Sequence, residues 1–387
     1  MPTTSPAQAL PGDPELALGR LVIDLEALAE NWRILKAQVG EAGCAAVVKA
    51  NAYGLGLAQA APALARAGAR QFFVATPEEG LELRALFDAL ALEERAFDPR
   101  PEVFVLGGFL PGQGKAYLES GVTPVLNSLE QVEQWSALCH QRAERLPAVL
   151  HIDTGMNRLG LGDGELRRLA QRLELLEPLD LRFVMTHLAC ADDPAHPMNR
   201  MQLERFAAAR AQLPPCPASF ANSSGIFLGA EYHGELARPG VALYGVNPTP
   251  GKPNPMRQVV TLEGKILQVR SIDAPESVGY GAAYRAEGPR RIATVGVGYA
   301  DGYLRSLSGR GRGFCGGVEA PMAGRVSMDL SAFDVSEVPQ AAARAGEWME
   351  LIGAQVTLDE VADAAGTIGY ELLTALGRRY SRVYRGL

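Results

Sequence analysis

The sequence predicts an α/β protein: a (β/α)8 barrel of the TIM type over residues 21–248, followed by a mainly β C-terminal domain over residues 249–387. Three observations carry this prediction. Short β-branched runs alternate with amphipathic stretches eight times over roughly 225 residues, as parallel strands joined by crossover helices do, and eight such units suit a closed barrel better than an open sheet. The segment from Pro248 to Pro255, with four prolines and a glycine, then breaks the pattern as a linker. Beyond it, short alternating runs separated by turn residues indicate a second, β-rich domain.

The elements follow in order. Residues 1–20 contain proline and glycine but no basic start with an apolar block, so they read as a flexible tail and not as a signal peptide. Residues 21–24 form an extra strand ahead of the first unit. The eight barrel strands are read at 46–48, 71–75, 103–106, 123–126, 148–152, 181–186, 218–221 and 241–244. Between them, apolar residues recur at helical three- and four-residue spacing over 77–86, 129–139, 164–176 and 202–213. In the second domain, strands are read at 264–269, 291–297, 333–335 and 348–352, with helices only at 358–365 and 370–376.

Composition narrows the function. With 47% hydrophobic residues the chain can bury a sizeable core. A net charge of −7 is wrong for neutralising nucleic-acid phosphates. No apolar run approaches the length of a membrane span. The five cysteines are widely spaced without a CxxC, which fits a reducing cytosol and argues against a disulfide framework or a thiolate metal site. Only five of the 37 basic residues are lysines, so a lysine in an apolar setting stands out.

A parallel barrel places its site at the carboxyl ends of its strands. Lys49 follows the first, in Val47-Val48-Lys49-Ala50-Asn51-Ala52-Tyr53-Gly54. A lysine there can simply reach solvent; enclosed by apolar walls, its amine is neutral more readily and can form a Schiff base. After the fifth strand, Asp153-Thr154-Gly155-Met156-Asn157-Arg158 offers a guanidinium fork for a carboxylate or phenolate, or a surface arginine. After the sixth comes His187, either catalytic or a satisfied core residue. The seventh ends in Asn222-Ser223-Ser224-Gly225, and Arg238-Pro239-Gly240-Val241 leads into the eighth. Small hydroxyl and glycine residues here form the usual phosphate cradle of such barrels. A lysine amine and a phosphate cradle in one barrel suggest pyridoxal 5'-phosphate.

Together these segments closely resemble the alanine racemase family, fold-type III pyridoxal-phosphate enzymes, over nearly the whole chain. The motifs that carry the resemblance are VVKANAYG at 47–54, DTGMNRLG at 153–160, ANSSG at 221–225, RPGVALYG at 238–245, GYGAAY at 279–284, GYADG at 298–302 and GRVSMD at 324–329. The resemblance implies racemisation of L- and D-alanine by two bases: Lys49, which also holds the cofactor, and Tyr280, entering from the partner subunit of a homodimer. It implies that Arg238 bonds the cofactor's pyridine nitrogen and that His187 sits beside the ring, linking Arg238 to Tyr280. Tyr53, Asn222, Ser223 and the backbone of Gly240 and Val241 would hold the cofactor and its phosphate. Arg158 and the backbone of Met328 would receive the substrate carboxylate, with Tyr299 and Asp329 at the mouth. It further implies a cytoplasmic protein supplying D-alanine for peptidoglycan, with no metal. The rivals are an amino-acid racemase of broader range and a protein that binds pyridoxal phosphate without turnover. Three positions depart from the pattern, one of them Leu55, where a histidine is common. His151 stands where many relatives carry a carbamylated lysine that positions the arginine, and Arg378 stands where a phosphate-contacting tyrosine is common.

Overall fold

A computed structural model describes residues 16–386, in two compact units. One spans Glu26–Arg257; the other joins Gln258–Leu387 to the residues up to Leu25.

The first unit is the barrel. Seven strands form one parallel sheet in sequence order: Ala46–Val47, Gln71–Val74, Glu102–Val105, Thr123–Leu126, Leu146–His151, Leu179–Met185 and Ala218–Ser219. The eighth, Leu236–Ala237, closes the ring by running parallel to Gly43–Cys44, the start of the first strand's line. The N–H of Ala45 donates to Ala237 O and that of Val47 to Pro239 O on this side, while the N–H of Arg238 donates to Ala221 O on the other. Strand alternation sends Phe72 outward against Phe87 of the helix Pro77–Ala91 and Phe73 inward, where it stacks on Phe104 at 4.8 Å. Thr76 and Ser128 cap the helices Pro77–Ala91 and Leu129–Arg142, accepting from the N–H three residues on.

The eighth strand is therefore not at 241–244. Val241–Tyr244 is a buried 3-10 turn. A short apolar run reads the same in either conformation; here Pro239 removes a ladder donor and Gly240 turns the chain at φ −122°, ψ −88°. The strand lies earlier, which puts Arg238 directly at its carboxyl end.

In the second unit the long strand Val260–Ile272 pairs antiparallel with Gly19–Asp24, Arg290–Val295 and Trp348–Ile352. Gly19–Asp24 is also parallel to Ser381–Arg385. The strand read at 21–24 thus belongs with the β-rich unit and not with the barrel, and it includes Gly19 and Arg20, placed in the tail from sequence. Residues 1–15 of that tail lie outside the described residues. The hairpin of Arg312–Cys315 with Val318–Pro321 escapes the sequence pattern, since its glycines carry no alternation. The helices Leu358–Ala365 and Gly369–Ala375 match their expected positions.

Candidate active site

Lys49 opens a short turn, Lys49–Tyr53, at the mouth of the first barrel strand. Ala50, Asn51, Ala52 and Tyr53 all adopt left-handed conformations, with φ of 53–54°. Such a run of non-glycine residues is costly and marks a functional site. The bonds Ala52 N–H to Val48 O and Gly54 N–H to Ala50 O hold the turn internally, and Asn51 Oδ1 accepts from Leu57 N at 2.7 Å. The Lys49 amine is half-buried. Burial first, then the charge of Arg158, lowers its pKa below the ordinary lysine value, with Glu79 opposing them. Arg158 stands exposed on the loop after the fifth strand, where Asp153 Oδ1 accepts from the N–H groups of Gly155 and Asn157 and shapes the turn.

Arg238 is fully buried and has no carboxylate partner among the described residues. Its Nη1 donates to Ser219 Oγ at 2.5 Å and its Nη2 to Thr186 O at 2.6 Å. Burial alone pushes its pKa down to about 9. An uncompensated buried cation is an expensive thing to keep in a core, and such groups concentrate at functional sites. The expected hydrogen bond from Arg238 to His187 is not formed; the guanidinium is committed to the strand-end oxygens instead. His187 is held neutral, its pKa driven well down by burial and then by Arg238, Arg158, His151 and Lys49, so these five groups share one electrostatic environment.

His151 follows the same logic. Burial and Arg238 push its pKa down to about 3, so the ring is neutral. Asn127 Nδ2 donates to Leu106 O at 2.9 Å, which turns Asn127 Oδ1 toward His151 Nδ1, 2.7 Å away. The proton therefore sits on Nδ1 and Nε2 is left as an acceptor.

The cradle is built from the last two units. Ser223 Oγ accepts from the N–H of Gly240 at 2.9 Å and of Ala242 at 3.3 Å, locking the two loops together. The N–H groups of Ser224 and Val241 have no acceptor among the described residues, as an anion site requires. Tyr53 stacks on Tyr244 at 4.6 Å and brings its hydroxyl against Gly240, where an added Cβ would lie 2.3 Å from it. A small hydroxyl, free N–H groups, a tyrosine and a glycine that admits no side chain suit a phosphate monoester. Asn222 has a scaffold role here: its Oδ1 accepts from Gly225 N and its Nδ2 donates to Leu188 O.

The second unit gathers three of its four expected residues. The N–H of Tyr299 donates to Ser327 O and that of Ala300 to Met328 O, so Tyr299, Met328 and Asp329 lie on two loops in contact. Gly298 allows that approach, since a Cβ there would meet Met328 O at 2.4 Å. The N–H of Met328 itself has no acceptor among the described residues and is available to a carboxylate. Tyr280 lies in a separate turn between two positive-φ glycines, 71% exposed. Arg378 makes no hydrogen bond among the described residues. Its neighbour Arg379 does the work, donating from Nε to the buried Asp301 at 2.6 Å and from Nη1 to Asp329 at 2.7 Å, while Asp301 Oδ2 accepts from Gly298 N. Sequence reasoning missed Arg379, Asp301, Asn127 and the fully buried Gln202. Gln202 donates to Thr154 Oγ1 and His187 O and accepts from Ala189 N. A polar residue facing inward on a helical stripe is the only local signal any of them offers.

A barrel with a lysine amine, a buried free arginine and a phosphate cradle at its carboxyl mouth, followed by a β domain, defines a fold-type III pyridoxal-phosphate architecture. Comparison with known proteins specifies it. The alanine racemase N-terminal domain family matches residues 23–248 and the alanine racemase C-terminal domain family residues 259–384. The chain is 49% identical over 381 residues to an alanine racemase of Rhizobium meliloti, covering 96% of this chain and 97% of that one. It is 50% identical over 377 residues to an alanine racemase of Rhodospirillum rubrum, covering 97% and 98%. The crystal structure of alanine racemase from Bartonella henselae with covalently bound pyridoxal phosphate superposes with a TM-score of 0.89 at 41% identity, covering 95% of this chain and all of that one. The chain belongs to the alanine racemase family.

Proposed function

We propose that this protein is a pyridoxal 5'-phosphate-dependent alanine racemase that inverts the α-carbon of alanine with Lys49 and Tyr280 as opposing bases. The observation that carries the reading is Arg238, a buried cation without a counter-ion beside a phosphate-shaped cradle and a lysine of lowered pKa. Tyr53, Ser223 and the N–H groups of Ser224 and Val241 would hold the phosphate, and Arg238 would bond the pyridine nitrogen. A guanidinium that is charged at neutral pH would leave that nitrogen unprotonated. When bound, the cofactor supplies an electron-withdrawing system that acidifies the α-C–H of the amino acid.

This chain's residues do the rest. Arg158 would fix the carboxylate, which presents the α-hydrogen to one face or the other. The Lys49 amine takes or returns the proton on one face. Its lowered pKa favours the neutral, basic form near neutral pH. The Tyr280 phenol handles the opposite face. Its exposure in the single chain supports a homodimer in which a second copy completes each site. Among the described residues no helix is long and apolar enough to cross a membrane, which accords with a cytoplasmic role supplying D-alanine to peptidoglycan.

The test is a racemisation assay on L-alanine beside L-serine, L-lysine and L-arginine, with the cofactor spectrum recorded. Alanine should be fastest; equal rates on the larger substrates would favour a broad-range racemase. Lys49→Ala should lose both turnover and the bound-cofactor absorbance. Mixed Lys49→Ala and Tyr280→Phe subunits should regain activity. A wild type that gains no absorbance with added pyridoxal 5'-phosphate would overturn the proposal.

A further inference from the structure

Thr76-Pro77-Glu78-Glu79 has the spacing of a capping box, in which the glutamate in the third helical position turns back to the N–H of the capping residue. Thr76 plays its part, accepting from Glu79 N at 3.3 Å. Glu79 does something else. Its Oε2 accepts from Ala75 N at 2.8 Å, one residue before the cap, and its Oε1 reaches out of the helix to Ala50 N at 2.6 Å. Ala75 closes the second barrel strand and Ala50 is the residue after Lys49, so one carboxylate ties the mouths of adjacent strands together.

What it ties is the strained turn. Each of Ala50, Asn51, Ala52 and Tyr53 sits near φ 54°, a conformation that is strained for an L-residue. Asn51 Oδ1 anchors the far end of the turn at Leu57 N, and the turn's own bonds span its middle. At the near end the Ala50 N–H has Glu79 as its acceptor. The charge of the same carboxylate also acts on the Lys49 amine, raising its pKa against the opposing effect of Arg158. We propose that Glu79 is a positioning residue for Lys49: its carboxylate pins the left-handed turn that aims the amine into the barrel mouth and sets a negative charge beside it. This rests on Lys49 being the cofactor lysine.

The experiment compares the holoenzyme with Glu79→Gln, Glu79→Ala and the double variant Glu79→Gln/Ala50→Gly. Borohydride reduction with pyridoxal 5'-phosphate, followed by peptide mapping, reports which lysine carries the cofactor. Cofactor loss is timed by dilution into a trap, and kcat is profiled against pH. Both single variants should keep the label on Lys49 but release pyridoxal 5'-phosphate about tenfold faster, the fold-change expected from losing one charge-assisted hydrogen bond. The acid-side limb, set by Lys49 losing its proton to act as a base, should move to lower pH, because a carboxylate that favours the charged amine is gone. Glycine at position 50 carries no penalty at positive φ, so the double variant should recover most of the retention without recovering the pH profile. Release rates and pH profiles within twofold of wild type, or a double variant no better than Glu79→Gln, would overturn the role of Glu79. A label on another lysine in the wild type would instead overturn the assignment of Lys49.

Discussion

Arg238→Gln separates a functional arginine from a structural one. Bringing a guanidinium from its ordinary arginine value down to about 9 corresponds to about 5 kcal/mol of unrelieved desolvation in the folded chain at neutral pH. The sign follows from the direction: below about pH 9 both folded and unfolded states hold the proton, so the penalty is full at pH 7 and is relieved only as pH rises toward the ordinary arginine value. Against it stand two short charge-assisted bonds, to Ser219 Oγ at 2.5 Å and Thr186 O at 2.6 Å. Together they contribute about 3–6 kcal/mol. The terms nearly cancel. Arg238→Gln, which keeps one donor and drops the charge, should therefore change the stability of the cofactor-free chain by less than about 2 kcal/mol. Pyridoxal 5'-phosphate binding and turnover should fall far more. Urea melts of the cofactor-free protein at pH 7, with binding followed by absorbance, measure both. A loss of about 3–5 kcal/mol without cofactor, the usual result of orphaning half of a buried ion pair, would refute the reasoning.

Two further outcomes test the site. Gly240→Ala should weaken pyridoxal 5'-phosphate binding at least tenfold in an equilibrium titration and cost about 1–3 kcal/mol by overpacking, because its Cβ would fall 2.3 Å from the Tyr53 hydroxyl, whose ring is backed by Tyr244; unchanged binding would remove that wall from the cradle. His151 makes the protein acid-sensitive. The unfolded chain takes its proton near 6.5 and the folded one near 3, so stability is lost as pH falls through that window. At pH 4.5 the loss is about 2–3 kcal/mol, and His151→Asn should close that part of the gap between its urea midpoints at pH 7 and pH 4.5.

The site was legible in sequence wherever chemistry is carried by residue type at a strand end. Lys49, Ser223, Arg238 and Gly240 follow from asking what stands after each barrel strand, and the structure brings them to one mouth. His187 and Asn222 were found by position, but their hydrogen bonds differ from expectation: Arg238 turns to Ser219 and Thr186, and Asn222 to Gly225 of its own loop and to Leu188 of the loop after the sixth strand. Glu79 is visible as a capping glutamate, yet its second oxygen answers to Ala50, 29 residues away, which no local pattern predicts. Arg379 and Asp301 are 78 residues apart and carry no motif that pairs them.

The sequence by itself determined the class of most barrel elements and the order of the two domains, because hydrophobic period is a local property and the strand-helix alternation admits few topologies. Tertiary structure decided what depends on distant partners. It moved Gly19–Asp24 out of the barrel, since a strand's sheet is chosen by its pairing and this one fits between Val260–Ile272 and Ser381–Arg385. It shifted the eighth strand to Leu236–Ala237, since closing the ring requires register with Gly43–Cys44. It also set the charge states on which the proposed chemistry depends. Lys49, His151, His187 and Arg238 are ordinary residues in the chain; their lowered pKa values come from burial together and, for all but Arg238, from neighbouring positive charge.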